Sequence, residues 1–380
     1  MIYFDNNATT QVTPEVFDAM RPFLDASFAN PSSGYSAGHE AKKAVERSRE
    51  SVAALLGARS AGEIVFTSGG TESDNWSILG ALESTGKNHI VTTKVEHEAV
   101  RKLCERLESR GASVTWIDVD EEGSLDLGQL REAITPETAV VSVMLANNET
   151  GILFPMKEIG EIVKARSNAL FHVDGVNAVG KVPIDLGTTD VDLFSVSGHK
   201  FHAPKGIGAL YIREGVNLPS ASIGGGQEGG RRAGTEAVHQ IAGLGAAAEF
   251  VKDMGPMEGV RALRDRLEAG VLDAVPHARL NGTSDVKRRV PNTGSISFEN
   301  TNGEMILSRL DQLGICVSTG SACNDRDHRA SAVLEAMNVP YSFAMGSIRF
   351  SLGRRNTEGE VDEVLSVLPE IISSLRSLAG

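Results

Sequence analysis

The chain has 380 residues, 41% hydrophobic and 23% charged, which allows two domains or one large domain with an appendage in an ordinary globular protein. With 50 Asp and Glu against 37 Lys and Arg the net charge is −13, and no basic stripe interrupts the acidity, so direct nucleic-acid binding is not expected. No apolar run reaches membrane-spanning length, no secretory signal is visible at the N-terminus, and three cysteines suggest no disulfide framework; the cytoplasm is the simplest expected location.

From about residue 15 to 255 strand-like and helix-like runs alternate, the pattern of an α/β domain with a largely parallel sheet. A helix is expected over 39–56, with Ala41, Ala44, Val45, Val52, Leu55 and Leu56 at helical spacing and Gly57 as its stop. A strand over 63–67 leads into Thr67-Ser-Gly-Gly-Thr71, with a helix opening near Glu72. Small residues before a helix N-terminus let backbone N–H groups approach an anion, so Gly70 and Thr71 suit a phosphate cradle. A plain tight turn explains the same residues, and the run is neither a Walker loop nor GxGxxG.

Next come a strand over 89–93 and His97, placed where a strand hands over to a helix. An imidazole there can cap or pack, or it can stack on a flat heterocycle and exchange a proton. Cys104 shares a helical face with Val100, Leu103 and Leu107 and reads as core. Strands over 114–118 and 139–145 follow, the second ending in Asn147-Asn-Glu-Thr-Gly151. Those residues are turn formers that can also bind a ring hydroxyl or a carboxylate.

The strand over 169–173 ends at Asp174, and Asp192-Leu-Phe-Ser-Val-Ser-Gly-His-Lys200 ends at a lysine. An acid and a lysine at neighbouring strand ends can hold the two ends of one cofactor ring. Pyridoxal 5'-phosphate needs an amine for a Schiff base and a carboxylate to keep its ring nitrogen protonated. Either residue alone is equally a surface lysine or a loop aspartate.

After Gly255-Pro256 the pattern becomes that of a smaller α+β domain formed by 256–380 with residues 1–14. An amphipathic helix carries Val260, Leu263, Leu267 and Val271; strands are expected over 294–298, 315–317 and 347–350. Cys316 reads as a buried strand residue, whereas Cys323 lies in a polar loop where a thiol can ionise. Cys316, Cys323 and His328 match no usual zinc spacing, and no metal site is expected. Arg349 stands among apolar neighbours and needs a buried partner, a structural acid or a substrate carboxylate. The closing helix starts at Thr357 with Glu360 placed for a capping box; its stripe runs from Val361 to Leu375, and Pro369 is expected to weaken or kink it.

These runs together resemble the cysteine desulfurases of the NifS/IscS type, pyridoxal-phosphate enzymes with the aspartate-aminotransferase-like fold (fold type I). The resemblance spans nearly the whole chain, through Asp5-Asn-Asn-Ala-Thr-Thr10, Asn30-Pro-Ser-Ser33, Ser68-Gly-Gly-Thr-Glu-Ser-Asp-Asn75, Glu96-His97, Asn147-Asn-Glu-Thr-Gly151, Val173-Asp-Gly-Val176 and Ser197-Gly-His-Lys200. It continues through the glycine-rich run from Gly224 to Thr235, Gly320-Ser-Ala-Cys323 and Ser347-Ile-Arg-Phe-Ser-Leu-Gly353. The resemblance implies that Lys200 holds the cofactor, Asp174 pairs with its ring nitrogen and His97 stacks on the ring. It implies that Gly70, Thr71, Ser197 and His199 bind the phosphate, with Thr235 reaching the neighbouring subunit's phosphate in a homodimer. Asn148 and Arg349 would hold the carboxylate of L-cysteine. Lys200 would remove the Cα proton, and Cys323 would take the sulfur as a persulfide for an acceptor such as an iron-sulfur scaffold protein, leaving alanine.

Two positions depart from the family pattern. The glutamine expected three residues after the aspartate is Asn177, one methylene shorter, so its bond to the ring hydroxyl is lost, water-mediated or supplied by Asn148. Beyond Cys323 the chain reads Asn324-Asp-Arg-Asp-His-Arg-Ala330, where relatives carry small hydroxyl residues, which bears on acceptor recognition. Other pyridoxal-phosphate reactions (transamination, β-elimination, selenocysteine lysis) would use Lys200, Asp174 and Arg349, and a transaminase would not need Cys323. A non-catalytic scaffold would not need the set at all.

Overall fold

The computed structural model describes residues 1–319 and 330–379. The strands are β1 (Ile2–Tyr3), β2 (Ile64–Thr67), β3 (His89–Thr93), β4 (Ser113–Ile117), β5 (Thr138–Met144), β6 (Leu170–Asp174), β7 (Leu193–Ser197), β8 (Gly208–Ile212), β9 (Ala278–Leu280), β10 (Thr293–Phe298), β11 (Ile315–Cys316), β12 (Ser318–Thr319) and β13 (Ser347–Ser351). The helices are α1 (Pro14–Met20), α2 (Ser36–Leu56), α3 (Gly70–Thr85), α4 (Glu98–Glu108), α5 (Leu127–Ala133), α6 (Met156–Arg166), α7 (Val238–Lys252), α8 (Pro256–Ala274), α9 (Gly303–Gln312), α10 (Ala332–Ala336), α11 (Tyr341–Ala344) and α12 (Glu358–Ala379).

A seven-stranded sheet, ordered β2-β8-β7-β6-β5-β3-β4, forms the centre. Its strands pair in parallel from β7 to β4, and β8 alone runs against its neighbours. Strands with helices on both faces are apolar throughout, and β5, β7 and β8 are buried at every residue. Because side chains alternate, Phe171 and Val173 of β6 and Phe194 and Val196 of β7 enter the main apolar cluster. Leu170, His172, Asp174, Ser195 and Ser197 therefore share the opposite face, against which α3 packs.

A four-stranded sheet, β12-β13-β10-β9, and the parallel pair β1-β11 lie beyond α7 in sequence apart from β1. Ile2 and Phe4 join a second apolar cluster with residues from Met257 to Leu375. Val333, Leu334 and Met337, although late in the chain, pack into the first cluster.

The Thr357 capping box forms: Thr357 N donates to Glu360 Oε2 at 2.9 Å, and Glu360 N donates to Thr357 Oγ1 at 3.3 Å. Helix α12 continues past Pro369 instead of ending there, because Val361, Val364, Leu368, Ile372 and Leu375 keep one stripe in the second cluster on both sides of the proline. Cys104 is buried in α4 as expected. Cys316 is half-buried, not fully buried, since β11 is a two-residue strand paired only with β1.

Candidate active site

Strands β3, β5, β6 and β7 point their C-terminal ends the same way, and the loops beyond them surround a cavity of about 190 Å³. Gly70, Thr71, His97, Asn148, Asp174, Asn177, Ser197, His199 and Lys200 all line it. Asp74, Met144, Ala146 and Val176 complete the lining; as single residues inside ordinary elements they carry no local signal of a site.

Asp174 closes β6 and is buried; Oδ1 accepts from Val176 N at 2.9 Å. No described lysine or arginine forms an ion pair with it. Burial and the nearby Asp74 push its pKa up. The next residue must be small, since a Cβ on Gly175 would lie 1.9 Å from the Phe194 ring. Beneath Asp174, His172 is held between Ser142 Oγ at 2.8 Å and Ser195 Oγ at 2.9 Å, and burial lowers its pKa to about 4.

Lys200 ends a single 3₁₀ turn, Gly198–Lys200, that follows β7. Its Nζ donates to the Asn7 carbonyl at 2.5 Å and the Ala8 carbonyl at 3.1 Å. Burial, then the positive charge of Arg349, lowers its pKa to about 8, so a substantial neutral fraction exists at mildly alkaline pH. His97 is the N-cap of α4, Nδ1 accepting from Ala99 N at 3.1 Å. That bond leaves the neutral ring's proton on Nε2. Desolvation lowers its pKa.

At the other end of the cavity α3 opens at Gly70 with no side-chain cap, so its first N–H groups face outward. A second hollow, shared by Gly70, Thr71, Ser197, His199 and Lys205, adjoins this helix end. A Cβ on Gly70 would stand 2.7 Å from Val176 Cγ2. Burial lowers the His199 pKa to about 4, leaving a neutral ring; Nδ1 lies 3.2 Å from Thr9 Oγ1.

Arg349 is buried on β13 beside the cavity, where Nη1 donates to the Asn148 carbonyl at 3.0 Å and Nη2 to Asp5 Oδ1 at 2.7 Å. Its Nε is buried without a hydrogen-bond partner among the described residues. Asn177 is held at both ends of its amide: Nδ2 donates to the Asn147 carbonyl at 3.1 Å, and Oδ1 accepts from Lys181 at 2.6 Å. Thr235 is exposed, away from the cavity lining. Cys323 and the charged 325–329 run lie outside the described residues, and no cluster of metal-ligating side chains occurs among the described ones.

The donor set fits pyridoxal phosphate. A buried carboxylate without a cation suits a protonated ring nitrogen, a lysine of lowered pKa suits an aldehyde, and an uncapped helix end suits a phosphate.

An aminotransferase class-V family model matches residues 2–364. A cysteine desulfurase of Trichormus azollae is 51% identical over 382 residues, covering 100% of this chain and 94% of that protein. The cysteine desulfurase NifS of Azotobacter vinelandii is 48% identical, with 100% of this chain and 94% of that one aligned. A solved NifS-like protein superposes with a TM-score of 0.92 at 39% identity, over 98% of this chain and 100% of that one. The chain belongs to the class-V aminotransferases, a pyridoxal-phosphate-dependent family, and within them to the cysteine desulfurases of the NifS/IscS type.

Proposed function

We infer that the protein is a pyridoxal-phosphate-dependent cysteine desulfurase that converts L-cysteine to L-alanine and passes the sulfur on for iron-sulfur or other sulfur-cofactor assembly. The observation that carries this reading is the meeting of Lys200 and Asp174 on one cavity that also receives the uncapped start of α3. When bound, pyridoxal phosphate supplies a sink for the electron pair released at the substrate Cα.

The chain's own residues divide the remaining work. Lys200 holds the cofactor and, once freed, takes the Cα proton on Nζ; its lowered pKa makes a neutral amine available. Asp174, as a carboxylate beside the ring nitrogen, would hold that nitrogen protonated. His97 would stack on the ring and, carrying its proton on Nε2, would give a proton to the departing carbon skeleton. Gly70, Thr71, Ser197 and His199 hold the phosphate, and Asn177 faces the ring oxygen. Asn148 and Arg349 would receive the substrate carboxylate.

Cys323 attacks the substrate sulfur as a thiolate. The C–S electron pair stays with the carbon skeleton, which takes up a proton, and Cys323 is left as a persulfide for an acceptor thiol to collect. The protein works as a cytoplasmic homodimer in which Thr235 reaches the partner's phosphate, and the chain divides into a large unit over 15–255 and a small one of 1–14 with 256–380. The second apolar cluster, which joins Ile2 and Phe4 to residues from Met257 to Leu375, supports that division, whereas Val333, Leu334 and Met337 pack with the large unit; the family's sulfur chemistry supports an iron-sulfur scaffold as acceptor.

The test mixes cofactor-loaded protein with L-cysteine and a thiol reductant and quantifies alanine and sulfide together. Equal yields that vanish in Cys323→Ala are expected. Unchanged alanine production from cysteine in that variant would overturn the persulfide route.

A further inference from the structure

Lys181 is a buried lysine that faces no acid. It sits four residues after Asn177, in the turns that follow β6, and its Nζ donates to Asn177 Oδ1 at 2.6 Å and to Asn7 Oδ1 at 2.8 Å. No described carboxylate forms an ion pair with it. Burial, then the charges of Lys200 and Arg349, hold its pKa well below the ordinary value. Its Nζ has an N–H for each of the two acceptors present.

Those bonds decide which way the Asn177 amide points. With Oδ1 engaged by Lys181 and one N–H of Nδ2 given to the Asn147 carbonyl at 3.1 Å, the second N–H of Nδ2 is left over at a residue that lines the cavity. Turning the amide over would set Oδ1 against the Asn147 carbonyl and take from Lys181 one of its two acceptors, so both neighbours favour this orientation. Asn7 fixes the amine in turn: Asn7 Oδ1 also accepts from Asn292 Nδ2 at 3.0 Å, and Asn7 is itself buried.

We propose that Lys181 is a positioning residue that locks the Asn177 amide with an N–H turned to the cofactor cavity. The inference rests on the pyridoxal-phosphate reading above and deepens it. A donor at the ring oxygen competes with the proton that this oxygen shares with Lys200 Nζ. The proton therefore leaves at lower pH when Asn177 is locked than when it is free. Asn177 does by this means, from a shorter side chain, what a glutamine's extra reach would otherwise do.

The test is an absorbance titration of the cofactor-loaded protein, parent against Lys181→Met, Asn177→Ala and the double variant, with no substrate present. Arg349, Asp174 and Asp5, the other charged groups that act on Lys200, are unchanged throughout. Lys181→Met is expected to raise the pH midpoint by about 0.5–1 unit, the size of one hydrogen bond, and to add nothing in the Asn177→Ala background. An unmoved midpoint, or an equal rise in both backgrounds, overturns the proposal. If Lys181→Met does not fold, Asn177→Ala decides alone: its midpoint must rise, and no change overturns the proposal. A parent that takes up the cofactor without developing absorbance overturns the cofactor reading itself, and this inference with it.

Discussion

Arg349 and Asp5, 344 residues apart in sequence, form an ion pair with Nη2 and Oδ1 2.7 Å apart. The same guanidinium also holds the Asn148 carbonyl, so one arginine joins the N-terminal segment, β13 and the loop after β5 at the cavity edge.

Asp5 holds Arg349 in place for a carboxylate, which gives it a kinetic signature. Asp5→Ala is expected to raise KM for L-cysteine about tenfold with a smaller change in kcat, the scale of one charge-assisted hydrogen bond. Steady-state alanine formation checks it, and an unchanged KM would show that Arg349 needs no second anchor.

Cofactor capture should report the Lys200 amine. A lysine whose pKa is lowered from 10.5 to about 8 becomes neutral as pH rises through 8, and only the neutral amine attacks an aldehyde. The capture rate in cofactor-free protein is expected to climb through a midpoint near 8 and level off above about pH 9. Stopped-flow absorbance would detect a midpoint near 10.5, which would mean the burial effect on Lys200 is absent.

The Cys104 thiol is pushed up to about 12, by burial first and then by Glu96, Glu105 and Glu108. Iodoacetamide at about pH 8 is therefore expected to leave it unmodified until the protein unfolds. Peptide mass spectrometry reads this directly, and labelling of the native protein would contradict the burial.

Glu228 in the glycine-rich run accepts from Arg49 Nη1 at 2.7 Å, Arg49 Nη2 at 3.0 Å and Phe66 N at 3.0 Å. Glu228→Ala leaves the buried Arg49 guanidinium with only Glu46 and the Ile64 carbonyl and strips Phe66 N of its acceptor, and is expected to cost about 1–3 kcal/mol in denaturant unfolding. Pairing it with Arg49→Met should recover part of that loss. The run could be read as a flexible surface loop; instead, this ion pair and the Arg232–Glu72 pair at 2.9 Å tie it to α2, β2 and α3.

Some of this was legible without coordinates. The apolar runs of β5 to β7, the capping box at Thr357 and the placement of Asp174 and Lys200 at strand ends all follow from residues within a few positions of one another. Asn177 was legible as a departure but not in its consequence: its partners are Asn147, thirty residues earlier in the chain, and a lysine with no visible motif. The reach of α12 past Pro369 likewise depended on a stripe packing into a cluster built from other elements.

The sequence by itself determined the alternation that makes the sheet parallel, the acid and the amine at its strand ends, and the cysteine that completes the family's pattern. These rest on short-range periodicity and turn chemistry, which a linear reading can count. Tertiary structure alone decided that Arg349 is shared between Asp5 and Asn148, and that Lys181 is buried against Asn7 and Asn177. Burial sets the price of each charge, and which groups are buried together is settled only when distant segments pack.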